Sequence, residues 1–263
     1  MHIYDYLNTY YTTHDEQARL GFRHGSVEFL TTVRYVDRYL TPGARICEIG
    51  AGTGRYSHHF AQKGYSVDAV ELIPHNIEVF NSLTQAGEAV TVRQGDARDL
   101  AFMADNSYDI TLLLGPMYHL YIQADQRKAL TEAIRVTRRG GVIFAAYCMN
   151  DATVVDFLFA REGIKDPHYR ALVDFDTFKC SSNPEDLFAL YRTEEINALV
   201  QGLPITRLHF VGTDMATNYM RPVINAMDDD TFAEYLRYHF AVCERADLVG
   251  ASHHTLDILR KEE

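Results

Sequence analysis

The chain has 263 residues, of which 47% are hydrophobic, enough to fill the core of one large domain or of one domain with an insertion. Its formal net charge of −11 argues against a broad phosphate-binding surface, because nucleic-acid binders usually present stripes of Lys and Arg. No window approaches 18 consecutive apolar residues, which excludes a transmembrane helix.

Residues 1–41 predict a helical cap at the N-terminus. An apolar stripe with the spacing of one helix face precedes the turn Thr41-Pro42-Gly43, and it consists of Val27, Leu30, Val33, Val36 and Leu40. Such a stripe is typical of core packing rather than of a functional surface.

Residues 42–149 predict the core, because short apolar runs alternate there with amphipathic segments. Strands are predicted at Ala44–Ile49, Ser66–Val70, Ala89–Arg93, Tyr108–Leu114 and Val142–Tyr147. Helices are predicted at Arg55–Lys63, at Ile77–Gln85, and from a cap at Asp125 to the pair Gly140-Gly141. This alternation implies a parallel sheet covered by helices, with the ligand at the carboxyl ends of the strands.

Residues 150–204 predict an aromatic-rich insertion that ends in a connecting helix at Thr193–Val200, and residues 205–263 complete the sheet. The completion comprises a strand at Ile205–Val211, a helix at Thr231–Asp247 and a last, edge-type strand over residues 253–261. Aromatic side chains of the insertion and of the late helix are candidates for a lid, although aromatic spacing more often reflects core packing; they are Phe157, Phe159, Phe175, Phe178, Tyr235, Tyr238 and His239. The insertion could also form the interface of a homodimer.

The stretch ICEIGAGTGRYS, residues 46–57, places three glycines directly after the first predicted strand. A P-loop is excluded because no Lys-Ser/Thr pair follows. The dinucleotide fingerprint requires a small residue where Arg55 stands, so that the helix can pack closely on the strand. We expect Gly50 and Gly52 to let the backbone approach a ligand without an intervening Cβ.

With Glu48 just ahead of the glycines, this stretch resembles the first motif of the class I methyltransferases that depend on S-adenosyl-L-methionine (SAM), which has the form Glu/Asp-x-Gly-x-Gly-x-Gly. The resemblance covers about residues 42–147, with a similar strand pair near 205–260. It implies an α/β fold with a seven-stranded, mostly parallel Rossmann-like sheet and helices on both faces. It also implies SAM as the cofactor and S-adenosyl-L-homocysteine (SAH) as the product. The sequence pattern adds the N-terminal helical cap and the insertion after strand 5, which carry no motif of the family.

The resemblance also implies roles for individual acids. Glu48 balances the cationic end of the cofactor. Glu71, at the end of the second strand, accepts hydrogen bonds from both ribose hydroxyls, and Asp96 in QGDARDL binds the adenine amine beside the backbone of Ala97. The predicted cofactor-binding residues are Arg23, Glu48, Gly50, Ala51, Gly52, Gly54, Glu71, Leu72, Asp96, Ala97, Leu114 and Gly115.

Arg23 enters this set from GFRHGSVEF, where it stands beside His24 in a turn before a helix. We expect the turn to fold over the cofactor with Arg23 near the carboxylate. The alternative is a surface turn with two cations.

The segment YDITLLLGPMYHL lies where the fourth motif faces the transferred methyl group. It lacks the Asp/Asn-Pro-Pro-Tyr/Phe motif of enzymes that methylate base or amide nitrogens, and it resembles bacterial small-molecule methyltransferases. The predicted function is transfer of the methyl group of SAM to an oxygen or nitrogen of a small molecule. Two alternatives stay open: a tRNA or protein methyltransferase, and a regulatory protein that binds SAM without catalysis.

The candidate catalytic residues in this segment are His119 and Tyr118. An unperturbed imidazole titrates near neutrality, so His119 could be a base or a substrate anchor; the alternative is a histidine that hydrogen-bonds to the backbone at a helix start. Tyr118 could orient the substrate or simply pack.

Neither the histidines nor the cysteines predict a metal site. His58-His59 and His253-His254 are adjacent pairs whose side chains point to different faces, with no third ligand converging in the sequence. The four cysteines (Cys47, Cys148, Cys180 and Cys243) are scattered and form no CxxC pair. They predict reduced, mostly buried thiols in a cytoplasmic protein. The polar, aromatic N-terminus also lacks the apolar segment of a signal peptide.

Overall fold

The structure is a computed structural model that describes residues 3–13 and 22–262. Its helices are α1 (Ile3–Thr13), α2 (Arg23–Asp37), α3 (Arg55–Gln62), α4 (Pro74–Leu83), α5 (Gln123–Val136), α6 (Asn150–Thr153), α7 (Pro167–Ala171), α8 (Thr193–Val200), α9 (Arg221–Ala226) and α10 (Asp229–Val242). Its strands are β1 (Arg45–Ile49), β2 (Ser66–Glu71), β3 (Val90–Gln94), β4 (Tyr108–Leu113), β5 (Thr137–Met149), β6 (Val173–Asp174), β7 (Lys179–Cys180), β8 (Leu190–Tyr191), β9 (Ile205–Gly212) and β10 (His254–Lys261).

The central sheet has the strand order β3-β2-β1-β4-β5-β10-β9. The pairs β1–β2, β2–β3, β1–β4 and β4–β5 are parallel, whereas β10 runs antiparallel to both of its neighbours. The two-residue strand β8 adds a short parallel pair to the end of β5. The predicted seven-stranded, mostly parallel sheet is therefore confirmed.

The position predicted for the last strand is wrong, because β10 lies inside the sheet and β9 occupies the edge. The alternation in HTLDILRK indicated an edge strand because of its polar residues. Asp257 is nevertheless fully buried, and its carboxylate accepts hydrogen bonds at 2.6 and 2.7 Å from Arg207 on β9. An ion pair between neighbouring strands thus accommodates an acid in an interior strand.

The bounds predicted for the helix before β5 also need correction. Asp125 does not cap α5, which begins at Gln123; its carboxylate instead accepts a hydrogen bond at 2.8 Å from Arg98. The helix ends at Val136, before the glycine pair. Thr137 begins β5, and its hydroxyl donates to the Ala133 carbonyl at 2.6 Å.

Strands β4 and β5 are buried on both faces, as the apolar run of β4 predicts. On one face Ile110, Leu112 and Phe144 pack with residues of α2 and α3. On the other face Leu113 and Tyr147 pack with residues of α5 and α8. The sheet is thus held between two apolar layers, and the site lies at the carboxyl end of its parallel strands.

The insertion after β5 consists of short elements, including a π-helical segment at Val154–Ala160. Several of its aromatic side chains lie at the surface, with Phe159 53% exposed and Phe175 45% exposed. All four cysteines are buried. Within the described ranges, no helix combines the length and apolar character that crossing a membrane requires.

Candidate cofactor and acceptor site

A cavity of about 390 Å³ opens at the carboxyl end of the parallel strands. The loop between β1 and α3 and the ends of β2 and β4 contribute to its lining. Leu7 and Tyr11 of α1 line it as well, as does Pro184 of the insertion. The site therefore combines the sheet edge with two segments remote from it in sequence.

The glycines of the β1–α3 loop serve different purposes. Gly50 has a φ of +76°, and a Cβ there would lie 2.5 Å from Pro116 Cδ, so its small size allows contact with the loop that follows β4. Gly52 has a φ of +55°, and a Cβ there would meet no atom within 4 Å. Gly50 is therefore required by protein packing, and the approach of a ligand to the backbone at Gly50 and Gly52 stays a prediction.

Glu71 at the end of β2 fixes the conformation of this loop. One carboxylate oxygen accepts from the Gly52 N–H at 2.8 Å. The other accepts from the Ile73 N–H at 2.9 Å and from Asn76 Nδ2 at 3.2 Å. Burial raises the pKa of Glu71, and these hydrogen bonds oppose the rise. The carboxylate also lines the cavity, so it is held in place before any ligand arrives.

Glu48 in β1 is a buried acid that also lines the cavity, with 1% of its surface exposed. The Ser57 hydroxyl of α3 donates a hydrogen bond to it. Burial raises its pKa to about 8, despite this hydrogen bond. A cationic group placed in the cavity would favour the ionised form.

Asp96 follows β3 and carries a close ion pair. Its carboxylate accepts from Arg98 at 2.6 Å, and Arg98 also donates to Asp125 at 2.8 Å. Burial of Asp96 opposes ionisation, but hydrogen bonds from Arg98 lower its pKa overall. All three side chains line the cavity next to Ala97.

The structure brings most of the predicted cofactor-binding residues to one cavity, and their ligand contacts stay predictions. Those that line it are Glu48, Gly50, Ala51, Gly52, Glu71, Leu72, Asp96, Ala97, Leu114 and Gly115. Gly54 does not line it; it precedes α3, and a Cβ there would lie 2.4 Å from Phe80. Its small size is required by packing between α3 and α4.

Arg23 also lies outside the cavity lining. Its guanidinium donates to Asp229 at 2.6 Å and lies over the ring of Phe232, both on α10. The role predicted for it beside the cofactor carboxylate does not fit this position, because the side chain is directed to another helix.

Arg55 contributes a cation to the cavity lining. In the sequence its size served only to exclude a dinucleotide site. Its guanidinium lies over the Phe29 ring, 4.4 Å from the centroid. Its Nε is buried and has no hydrogen-bond partner among the described residues. A buried polar group without a partner is costly, so an anionic ligand group would relieve an unfavourable arrangement.

His119 is buried at the same cavity, in the turn after β4. Its Nδ1 lies 2.8 Å from the Leu187 carbonyl and must donate to it, because a carbonyl oxygen can only accept. In a neutral ring Nε2 then accepts a hydrogen bond from the Tyr11 hydroxyl at 2.8 Å. Burial lowers its pKa to about 4. These contacts fit a neutral histidine that joins α1 to the insertion. The bond to Leu187 agrees with the alternative interpretation of His119 as a histidine that hydrogen-bonds to the backbone. Tyr118 donates to the Leu114 carbonyl.

Sequence reasoning missed cavity residues from distant parts of the chain. Tyr11 of α1, Glu28 of α2 and His254 of β10 all line the cavity. The pair His253-His254 was noted in the sequence, but no local pattern connects it with the glycine loop. The return of β10 beside β5 brings His254 to the site.

Comparison with known proteins bears on this arrangement. Residues 47–145, which hold the glycine loop, Glu71 and Asp96, match the model of a methyltransferase domain family. This part of the chain therefore carries a methyltransferase domain.

Among the methyltransferases that the chain is similar to, a demethylmenaquinone methyltransferase from Renibacterium salmoninarum is 34% identical over 106 residues, 40% of this chain and 41% of that protein. This match therefore spans about two-fifths of that relative. A ubiquinone biosynthesis O-methyltransferase from Hahella chejuensis is 22% identical over 73% of this chain and 81% of its own length.

Solved structures support the fold. A SAM-dependent methyltransferase from Methanosarcina mazei superposes with a TM-score of 0.57 at 16% identity, covering 87% of this chain and 97% of that one. At this identity, the likeness concerns the methyltransferase fold alone.

The donors and acceptors of the cavity fit SAM. Two buried carboxylates, Glu48 and Glu71, suit a cation and a pair of ribose hydroxyls. Arg55 supplies a guanidinium nitrogen without a partner for a carboxylate. The open space at the Cβ position of Gly52 leaves room beside the loop backbone.

Proposed function

We propose that this methyltransferase transfers the methyl group of SAM to an oxygen or nitrogen of a small-molecule acceptor. The observation that carries the proposal is the shape of the cavity. Leu7 and Tyr11 of α1 and Pro184 of the insertion line the same space as Glu48 and Glu71. A site covered by two peripheral segments suits a small molecule.

Charge and relatives support the same substrate class. The net charge of −11 opposes close approach of a nucleic acid. Two relatives are named for quinones, one as a demethylmenaquinone methyltransferase and one as a ubiquinone biosynthesis O-methyltransferase. Both names describe methylation of small molecules.

The cofactor supplies an activated methyl group, so the chain has to bind, orient and exclude water. We assign the ribose hydroxyls to Glu71, the adenine amine to Asp96 and the cationic end to Glu48. Arg55, rather than Arg23, is assigned to the carboxylate.

Radiolabel transfer from SAM into a cell extract, fractionated into small molecules, RNA and protein, tests the proposal. We expect label in the small-molecule fraction with the wild-type protein and little with Glu71→Gln. Label in RNA or protein would refute the small-molecule assignment. Absence of transfer to every fraction, with SAH binding intact in a thermal-shift assay, would favour a non-catalytic SAM-binding protein.

A further inference from the structure

A cluster of charged side chains lines the cavity apart from the predicted cofactor residues. Glu28 of α2 and His254 at the start of β10 both line it. Asp214, which follows β9, lies directly behind His254: its Oδ2 is 2.7 Å from His254 Nδ1. The second carboxylate, of Glu28, lies 3.6 Å from the same nitrogen.

Asp214 is held as an ionised carboxylate by its surroundings. Oδ1 accepts from the Ser252 hydroxyl at 2.6 Å and from the backbone N–H groups of His253 and His254 at 2.9 and 3.2 Å. Oδ2 accepts from Asn218 Nδ2 at 2.6 Å as well as from His254. Burial opposes ionisation, but His254 and these donors lower the pKa of Asp214. Asp214 is therefore a positioning residue that fixes the His254 ring.

His254 is arranged as an imidazolium whose second nitrogen is available to a ligand. Burial opposes its charge, but Glu28, Asp214 and the nearby Cys148 raise its pKa well above the usual value. Its Nε2 makes no hydrogen bond within the residues that the structure describes. The Tyr118 ring lies edge-on, with its centroid 6.4 Å from that of His254.

A metal ion fits this cluster less well than a proton does. Both oxygens of Asp214 already accept hydrogen bonds from five donors, so little lone-pair density remains for coordination. An ammonium acceptor is also disfavoured at Nε2, because an imidazolium repels a cation. The complementary group is an oxygen that carries negative charge.

We propose that His254, positioned by Asp214, binds the methyl acceptor, and that this acceptor is an acidic hydroxyl compound of the phenol or enol class, bound as its oxyanion. This inference rests on the proposed function and specifies its substrate class. The hydroxyl proton leaves to solvent on binding, because His254 already carries its own proton. The oxyanion forms the new O–CH₃ bond while the C–S bond breaks with its electron pair left on sulfur. The negative charge of the oxyanion and the positive charge of the sulfonium cancel in the products, and His254 keeps its proton.

The test titrates the SAH-saturated protein with para-nitrophenol, whose phenolate absorbs visible light and whose neutral form does not. We expect the wild-type protein to bind it and to show the phenolate band at a pH where the free phenol is mostly protonated. His254→Gln should weaken binding at least about tenfold, the loss of a charge-assisted hydrogen bond, and abolish the band. Glu28→Gln, which leaves the donors of Asp214 in place, should keep binding but weaken the band.

Matched controls separate this effect from a general loss of structure. His253→Gln changes the neighbouring ring, which does not line the cavity, and should leave both the band and the affinity unchanged. Para-nitroanisole lacks the hydroxyl and should bind wild-type and His254→Gln protein equally. SAH affinity should be the same in all these variants.

Several results would overturn the proposal. These are an unchanged phenolate band in His254→Gln, failure of the SAH-bound wild-type protein to bind para-nitrophenol, and loss of binding on addition of a chelator, which would indicate a metal site. Tighter binding of benzylamine than of para-nitrophenol would indicate an amine acceptor instead. Failure of the protein to bind SAH would refute the proposed function itself and is measured separately.

Discussion

Glu71→Gln is the substitution that most directly tests how the cofactor end of the cavity works. The carboxylate accepts from Gly52 N–H on one oxygen and from Ile73 N–H and Asn76 on the other. Glutamine has the same shape, but one of its two ends is an NH₂ group that cannot accept. One side of this network must therefore lose its acceptor, and two donors then face each other.

The expected magnitude follows from the hydrogen bonds involved. A hydrogen bond to a charged group contributes about 1.5–3 kcal/mol, and a factor of ten in Kd corresponds to about 1.4 kcal/mol. Loss of a single bond, either to the loop or to a ribose hydroxyl, should weaken SAH binding about ten- to hundredfold. Isothermal titration calorimetry with SAH measures this directly.

Glu132→Gln is the matched control. Glu132 accepts from the Leu100 N–H at 2.7 Å and from Arg135 Nε at 2.8 Å, and it does not line the cavity. This variant should lose stability in thermal unfolding and bind SAH as the wild-type protein does. If Glu71→Gln also binds SAH with wild-type affinity, the role assigned to Glu71 is refuted.

Three further predictions concern charge and packing. SAM affinity should rise with pH up to about 8, by as much as about tenfold per pH unit, because Glu48 must lose a proton to pair with a cation. Calorimetry should show that Glu48→Gln abolishes this pH dependence. An affinity of the wild-type protein that does not change with pH would contradict the prediction. Gly50→Ala should unfold at a much lower temperature than Gly43→Ala, because both positions have positive φ but only the first Cβ would collide, with Pro116; equal unfolding temperatures would contradict this. Neutral His119 contributes stability above its ordinary pKa of 6.5 that is lost as pH falls to about 4. The free energy of unfolding, measured with urea, should fall by about 3 kcal/mol over this pH range, and His119→Gln should remove this pH dependence. If the variant keeps the full decrease, burial of His119 is not its cause.

The cofactor end of the site could be predicted because its residues stand in local sequence patterns. The turn after β1 needs glycines, and Glu71 and Asp96 follow the ends of the next two strands. The carboxyl ends of parallel strands lie at one edge of the sheet, so spacing along the chain is enough to bring these residues together. The same reasoning could not show that Gly50 and Gly54 are needed for packing, since Pro116 and Phe80 are remote in sequence.

Errors arose where side chains find partners on distant elements. Arg23 suited a cofactor carboxylate as a cation near a turn, but Asp229 and Phe232 lie on a helix more than 200 residues later. Asp257 made β10 resemble an edge strand, since the local sequence does not show that its partner is Arg207 on the neighbouring strand. In both cases a long-range ion pair decided the position of a charge.

The acceptor end of the cavity is built almost entirely from such long-range pairings. Asp214 and His254 flank the connection between β9 and β10, and Glu28 comes from a helix near the N-terminus. None of the three lies in the segment at residues 47–145 that matches the methyltransferase domain. Substitutions among them can therefore alter acceptor chemistry while the loop held by Glu71 keeps its hydrogen bonds. This separation explains why local sequence patterns bring the glycine loop, Glu71 and Asp96 together, whereas the cluster of Glu28, Asp214 and His254 is visible only in the folded arrangement.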